Sequence, residues 1–272
     1  MTHFVTYFDK AYIPKGVAML RSLTDMEPGA KIHVLCCDDE TERAQAPGDV
    51  DVITLDTLEK LFGGLREARQ NRDWVEYLWT LTPVVMYYLL NDLDEITYVD
   101  ADLYFFSPLD ELYAEAGDHA ISAIPHRWTP KHAKRLAPNG KYNVSWLRVR
   151  NTEQGLLFLA EWANLCIDSC LKKNMGDQGY LDGLAEKYDI YDIQHLGANL
   201  APWSQEQYAY SIKDGRIHVE NDRLLFYHFH EFQHNRKGDV LARTGYSLHP
   251  FVAEYIYPVY EDEIRSVCRW LP

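Results

Sequence analysis

Apolar positions in this chain repeat at two spacings that alternate along its length. Residues 4–8, 32–36 and 50–55 are short apolar runs, rich in β-branched and aromatic side chains, of strand length. Residues 12–23 instead carry their apolar side chains at helical spacing, and a short helical stretch opens at Asp39. Residues 74–90 read as an apolar helix that contains Pro83, where a kink or break is expected. Further strands are expected at 96–106, 120–124, 142–149 and 224–230, and residues 156–171 form an amphipathic helical run. Strands alternating with helices in this way predict an α/β fold with a mainly parallel central sheet flanked by helices. The basic stretch 126–141, interrupted by Pro130 and Pro138, is expected to be a mobile loop over the site.

The chain has 272 residues, 47% of them hydrophobic, which is enough to bury a large core. We expect one domain over 1–272. It would comprise 1–125, 126–249 and a C-terminal docking helix over 250–272. A formal charge of −14 argues against nucleic acid or an anionic membrane face as partner, because either would be repelled. A phosphorylated ligand would therefore need a cation to accompany it. Five cysteines without a Cys-x-x-Cys pair read as reduced, mostly buried thiols. No stretch resembles a signal peptide or a membrane span, so a cytoplasmic protein is expected.

Chemistry concentrates in a few places. The run 96–106 carries Asp100 and Asp102 on either side of the small Ala101, at what would be the C-terminal end of a strand. Side by side in extended geometry, the two carboxylates would repel unless a divalent cation lay between them. A solvated acidic turn is the plainer alternative. Asp9, where the first strand turns into a helix, is either a helix cap or an acceptor for a nucleobase edge, with Tyr7 or Tyr12 as stacking face. Asp177, followed by Gln178, is either an N-cap or a site carboxylate. Residues 194–203 supply Asn199 and Trp203, suited to a sugar pocket or to core packing. His228 and His230 alternate at the end of the 224–230 strand, and either is a metal ligand in prospect. His230-Glu231-Phe232-Gln233-His234 also matches the His-Glu-x-x-His pattern of zinc peptidases. That chemistry needs a helix, which Asn235-Arg236-Lys237-Gly238 would end at once.

In combination these segments resemble the GT-A glycosyltransferases, most of all the family eight type of nucleotide-sugar transferases. Phe8-Asp9-Lys10-Ala11-Tyr12 resembles that family's opening turn, and Tyr98-Val99-Asp100-Ala101-Asp102 its Tyr-x-Asp-x-Asp element. Tyr142-Asn143-Val144-Ser145-Trp146 is similar to its Phe-Asn-x-Gly strand, and Gly176-Asp177-Gln178 to its Asp-Gln turn. Matching elements run in the family's order from residue 4 to about 237. The resemblance implies a nucleotide-binding half over 1–125 and a sugar and acceptor half over 126–249, with Asp9 contacting uracil and Asp100, Ala101 and Asp102 holding the diphosphate. It also implies Mn2+ (or Mg2+) on Asp100, Asp102 and His228, with His230 as the alternative, and Asp177 and Gln178 near the transferred sugar.

The chain departs from the pattern in three places. Ser145 replaces a glycine, the helix before the 96–106 run has no arginine at the usual place, and the tail after His228 differs. Arg72 is the expected substitute for the arginine, and Lys237, with Arg236 beside it, the expected phosphate contact. The implied function is metal-dependent transfer, with retention, from a UDP-sugar or other nucleotide diphosphosugar to a glycan or glycolipid. The aromatic run 250–271 would be a docking helix or partner surface, with peripheral membrane contact as an alternative. A zinc hydrolase built on His230, Glu231 and His234, and a catalytically silent sugar-nucleotide-binding protein, are the competing readings.

Overall fold

A computed structural model describes residues 1–43 and 50–270. The first half runs β1 (His3–Phe8), α1 (Ile13–Met26), β2 (Lys31–Cys36), α2 (Asp39–Arg43), β3 (Val50–Thr54), α3 (Leu55–Leu61), α4 (Leu65–Asn71), α5 (Trp74–Leu90), β4 (Glu95–Val99), β5 (Leu103–Phe105), α6 (Asp110–Ala116) and β6 (Ile121–Pro125). The second half runs α7 (Leu136–Asn139), β7 (Tyr142–Arg150), α8 (Glu153–Asp168), α9 (Leu181–Ala185), β8 (Ile190–Asp192), β9 (Tyr210–Lys213), β10 (Arg216–Val219), β11 (Asp222–Arg223), β12 (Phe226–His228), β13 (Gln233–His234), β14 (Val240–Ala242) and α10 (Tyr257–Trp270).

Seven strands form the central sheet in the order β3-β2-β1-β4-β7-β6-β8. The expected parallel character holds for β1 with β2 and β4, β2 with β3, and β6 with β8, whereas β7 runs antiparallel to both β4 and β6. The period-2 alternation of the strands sorts side chains to the two faces. Phe4 and Phe8 of β1 and Ile32, Val34 and Cys36 of β2 join one core with α1 and α10; Val5 and Leu35 join the other with α5 and α8. The cysteines are free, and Cys36, Cys37, Cys166 and Cys170 are buried.

Three expectations change. Helix α5 runs through Pro83 without a break. The proline removes one hydrogen bond, but the helix lies packed against α8 and β4 and opens on a capping box at Asp73, which together hold its course. The run 96–106 is two strands with a turn between them: β4 stops at Val99, Asp100 to Asp102 form the turn, and β5 leaves the main sheet to pair with β12. The carboxylates are therefore brought together by a turn, and not by the pleat of one strand. Finally, the aromatic face of the C-terminal run is internal. Tyr257, Tyr260, Ile264 and Val267 of α10 are buried in the core shared with α1, so the helix docks on its own chain. Among the described residues no helix is long and apolar enough to cross a membrane.

Candidate active site

At the C-terminal ends of β1 and β4 opens a cleft of about 630 Å³. Its walls are the turn after β1, the start of α5, the β4–β5 turn, the 126–139 arm, the start of β7, the 175–178 turn, and Trp203, His228, His230 and Tyr246.

The acidic centre is assembled by strand register. β5 and β12 pair antiparallel with Leu103 opposite His228, and Phe229 N–H donates to the Asp102 carbonyl at 2.9 Å, so the imidazole stands beside the Asp100–Asp102 turn. His228 Nε2 lies 3.2 Å from Asp102 Oδ1 and 3.9 Å from Asp100 Oδ2. One ligand atom from each of the three residues falls within 4.8 Å of the other two. Tyr98 Oη donates to Asp100 Oδ1 at 2.8 Å, fixing that carboxylate's rotamer. Burial alone would disfavour ionisation of Asp102, but the charge and hydrogen bond of His228 prevail and hold its carboxyl well below the usual range. Asp100 moves the other way, pushed up by burial and by the like charge of Asp102. For His228, burial is outweighed by Asp102 and then Asp100, and the imidazole titrates above its usual value. Two carboxylate oxygens and an imidazole nitrogen at this spacing fit a divalent metal ion.

Asp177 faces the same cleft and is only 6% exposed. Met175 and Gly176 ahead of it both have left-handed backbone, with φ of 62° and 61°, and this reverses the chain and aims the carboxyl inward. It makes no side-chain cap to the turn that follows, which removes the N-cap reading. Burial raises its pKa to about 7, against a hydrogen bond from Thr82. Gln178 Oε1 accepts from Asn143 Nδ2 at 3.1 Å, and Asn143 Oδ1 accepts from Asn199 Nδ2 at 3.1 Å, so three amides form a chain along the cleft wall. Trp203 is fixed by its indole N–H donating to the His126 carbonyl at 2.8 Å, and stands edge-on to His228 and His230.

In the turn after β1, Asp9 accepts from Trp74 Nε1 at 2.9 Å and from Ala11 N–H at 3.0 Å. Tyr7 packs on Tyr98 and bonds Thr82, while Tyr12, 42% exposed, lines the cleft with Lys15 Nζ 4.4 Å from its ring centroid.

Two expected basic contacts lie elsewhere. Arg72 is spent on Thr80 Oγ1 and on the carbonyls of Cys166 and Ile167, tying α4 and α5 to the end of α8, and Lys237 is exposed on the turn after β13; neither lines the cleft. The zinc-peptidase geometry is also absent. Glu231 is left-handed with φ of 63°, His234 belongs to strand β13, and the metal-competent cluster found among the described residues does not include it. Cleft residues that the sequence did not single out include Trp79, His126, Trp128, Arg135 and Tyr246; His126, Trp128 and Arg135 lie within the 126–141 stretch expected only as a loop.

No family model matches the chain. It is 28% identical over 241 residues to the uncharacterised protein YfnD of Bacillus subtilis strain 168, covering 85% of this chain and 78% of that one. Among solved structures it superposes on the galactosyltransferase LgtC, crystallised with donor and acceptor sugar analogues, with a TM-score of 0.60 at 14% identity, over 97% of this chain and 96% of LgtC. It superposes on mouse xyloside xylosyltransferase 1 with a TM-score of 0.55, again at 14% identity, over 85% of this chain and 98% of the enzyme. The chain has the GT-A fold. The β4–β5 turn carries Asp100 and Asp102 of the metal-competent cluster and β12 carries His228, and the cleft opens at the carboxyl edge of the sheet, where open α/β sheets bind ligands.

Proposed function

We propose that the chain is a divalent-metal-dependent glycosyltransferase. It would transfer a sugar from a nucleotide diphosphosugar, UDP-linked in the first instance, to a hydroxyl of a glycan or glycolipid in the cytoplasm, with retention at the anomeric carbon. The observation that carries this reading is the convergence of Asp100, Asp102 and His228 in one cleft with a buried carboxyl, Asp177, whose pKa is about 7.

A Mn2+ or Mg2+ ion held by those three residues would supply Lewis-acid stabilisation of the leaving diphosphate. The chain's own groups do the rest. Tyr12 offers a face to the base and Asp9 an acceptor at the same end of the cleft. Asp177, when ionised, favours the positive character that develops at the anomeric carbon, and Gln178, held by Asn143, orients the sugar hydroxyls. On the opposite side, Trp128, Trp203 and Tyr246 form an aromatic wall suited to the apolar face of an acceptor ring.

The test is a thermal-shift and donor-hydrolysis screen of UDP- and GDP-sugars with Mn2+ present. At least one donor should raise the melting temperature and be slowly hydrolysed, both effects vanishing with EDTA or in Asp102→Asn. A flat response to every donor in the presence of metal sinks the proposal.

A further inference from the structure

Asn199 does not line the cleft, yet it is hydrogen-bonded to Asn143, which does. It is only 3% exposed, and its Nδ2 donates to Asn143 Oδ1 at 3.1 Å. Asn143 Nδ2 donates in turn to Gln178 Oε1 at 3.1 Å, and Gln178 Nε2 to the Asn139 carbonyl at 2.9 Å. Two backbone groups fix the sense of this chain. The Asn139 carbonyl can only accept, so Gln178 turns its NH2 to it and its oxygen to Asn143. The Ser145 N–H, 3.4 Å from Asn143 Oδ1, can only donate, and it imposes the same orientation on Asn143 from the other end. Within this network Gln178 and Asn143 keep one acceptor lone pair and two N–H groups for a ligand.

The Ser145 contact is long for an N–H···O bond, so Asn199 makes the firmer hold on the Asn143 amide. The backbone beside it is anchored: Leu200 N–H donates to the Phe226 carbonyl at 3.3 Å, and the Leu200 carbonyl accepts from His228 N–H at 2.8 Å. Packing alone does not favour an amide here, because Asn199 Oδ1 is buried with no hydrogen-bond partner among the described residues. The left-handed backbone, with φ of 56°, suits asparagine, but it would suit glycine equally. We propose that Asn199 is a positioning residue for sugar transfer, one that holds the Asn143 amide in a single orientation and through it the Gln178 side chain. Without that donor the Asn143 amide can turn over, which sets oxygen against oxygen at Gln178 and displaces it from the sugar hydroxyls. The inference rests on the nucleotide-sugar reading of the cleft.

Asn199→Gly keeps the backbone conformation and deletes the donor. Asn199→Asp keeps the size as well and puts an oxygen where the NH2 was, which covers a glycine variant that does not fold. With Mn2+ and a UDP- or GDP-sugar that the wild type hydrolyses, either variant should lose roughly tenfold to a hundredfold in kcat, while calorimetric affinity for free UDP or GDP stays within about twofold. Asn143→Ala should be similarly slow, and adding Asn199→Gly to it should cost nothing further, because the intermediary is already gone. Wild-type turnover in Asn199→Gly would leave Asn199 a backbone role only. Equal losses of turnover and nucleotide affinity would mark a general disturbance of the cleft, and additive losses in the double variant would mean that Asn199 does not act through Asn143. Any of these three results overturns the positioning role and leaves the nucleotide-sugar reading standing. A wild type that hydrolyses no donor of the panel overturns that reading, and this inference with it.

Discussion

Asp177 and His126 are both buried titratable groups, and burial displaces them in opposite directions. The carboxyl of Asp177 is raised to about 7, so the unfolded chain releases its proton first and the fold loses stability as pH climbs from about 4 to about 7. Asp177→Asn should therefore be more stable than wild type at pH 7.5, on the order of 2–4 kcal/mol, and no more stable at pH 4, while losing sugar transfer. Denaturant melts at the two pH values read the first part directly. Equal stability at pH 7.5 would show that the carboxyl is not held protonated by its site. His126 is lowered to about 4 by burial, with its ring against Trp128 and its Nδ1 3.1 Å from the Gly140 carbonyl, which makes Nδ1–H the donor and leaves Nε2 as an acceptor. Here the unfolded chain takes up a proton first as pH falls, so stability present above about 6.5 drains away towards 4. His126→Gln should flatten that acid loss by roughly 3 kcal/mol relative to wild type.

Several elements of this chain matter for where they stop. The β4–β5 break turns two aspartates towards each other, and the antiparallel β5–β12 pair then delivers His228 opposite Leu103. The 175–177 turn works similarly: a Cβ on Gly176 would fall 2.5 Å from Trp79 Cε3, on a backbone with φ of 61°. Gly176→Ala should cost about 1–3 kcal/mol of stability and displace Trp79 from the cleft wall. Donor affinity measured by titration should drop with it. A variant with wild-type affinity would mean that Trp79 moves without consequence for the ligand.

The molecule as a whole ties the metal-competent turn to its C-terminus. Phe229, the residue after His228, stacks on Tyr260 of α10 with ring centroids 3.8 Å apart, and Tyr260 lies in the core that includes α1. Tyr260→Ala should cost about 3–5 kcal/mol as a large-to-small core change and also weaken Mn2+ binding, because the support behind His228 is removed. Mn2+ affinity unchanged in a destabilised variant would confine Tyr260 to packing. The net charge of −14 acts at the same scale, and a bare nucleoside diphosphate should bind poorly until a divalent ion is added.

Periodicity was enough to place most strands and helices, because burial on one face imposes a spacing of 2.0 or 3.6 residues whatever the partner. Short-range motifs were legible for the same local reason: Asp100, Asp102, Asp177 and Gln178, which line one cleft, could be picked out as candidates, and the Asn235–Gly238 turn argued against a helical zinc site. Direction and distance were not readable. Nothing in the spacing of 142–149 showed that β7 runs antiparallel, nor in that of 96–106 that the run breaks at Asp100. Only tertiary packing could show that Arg72 is consumed by the end of α8, that Tyr12 is more exposed than Tyr7, or that His228 meets the Asp100–Asp102 turn. Each of those facts depends on which distant segment a side chain meets, and sequence period records how often a residue is buried, not against what.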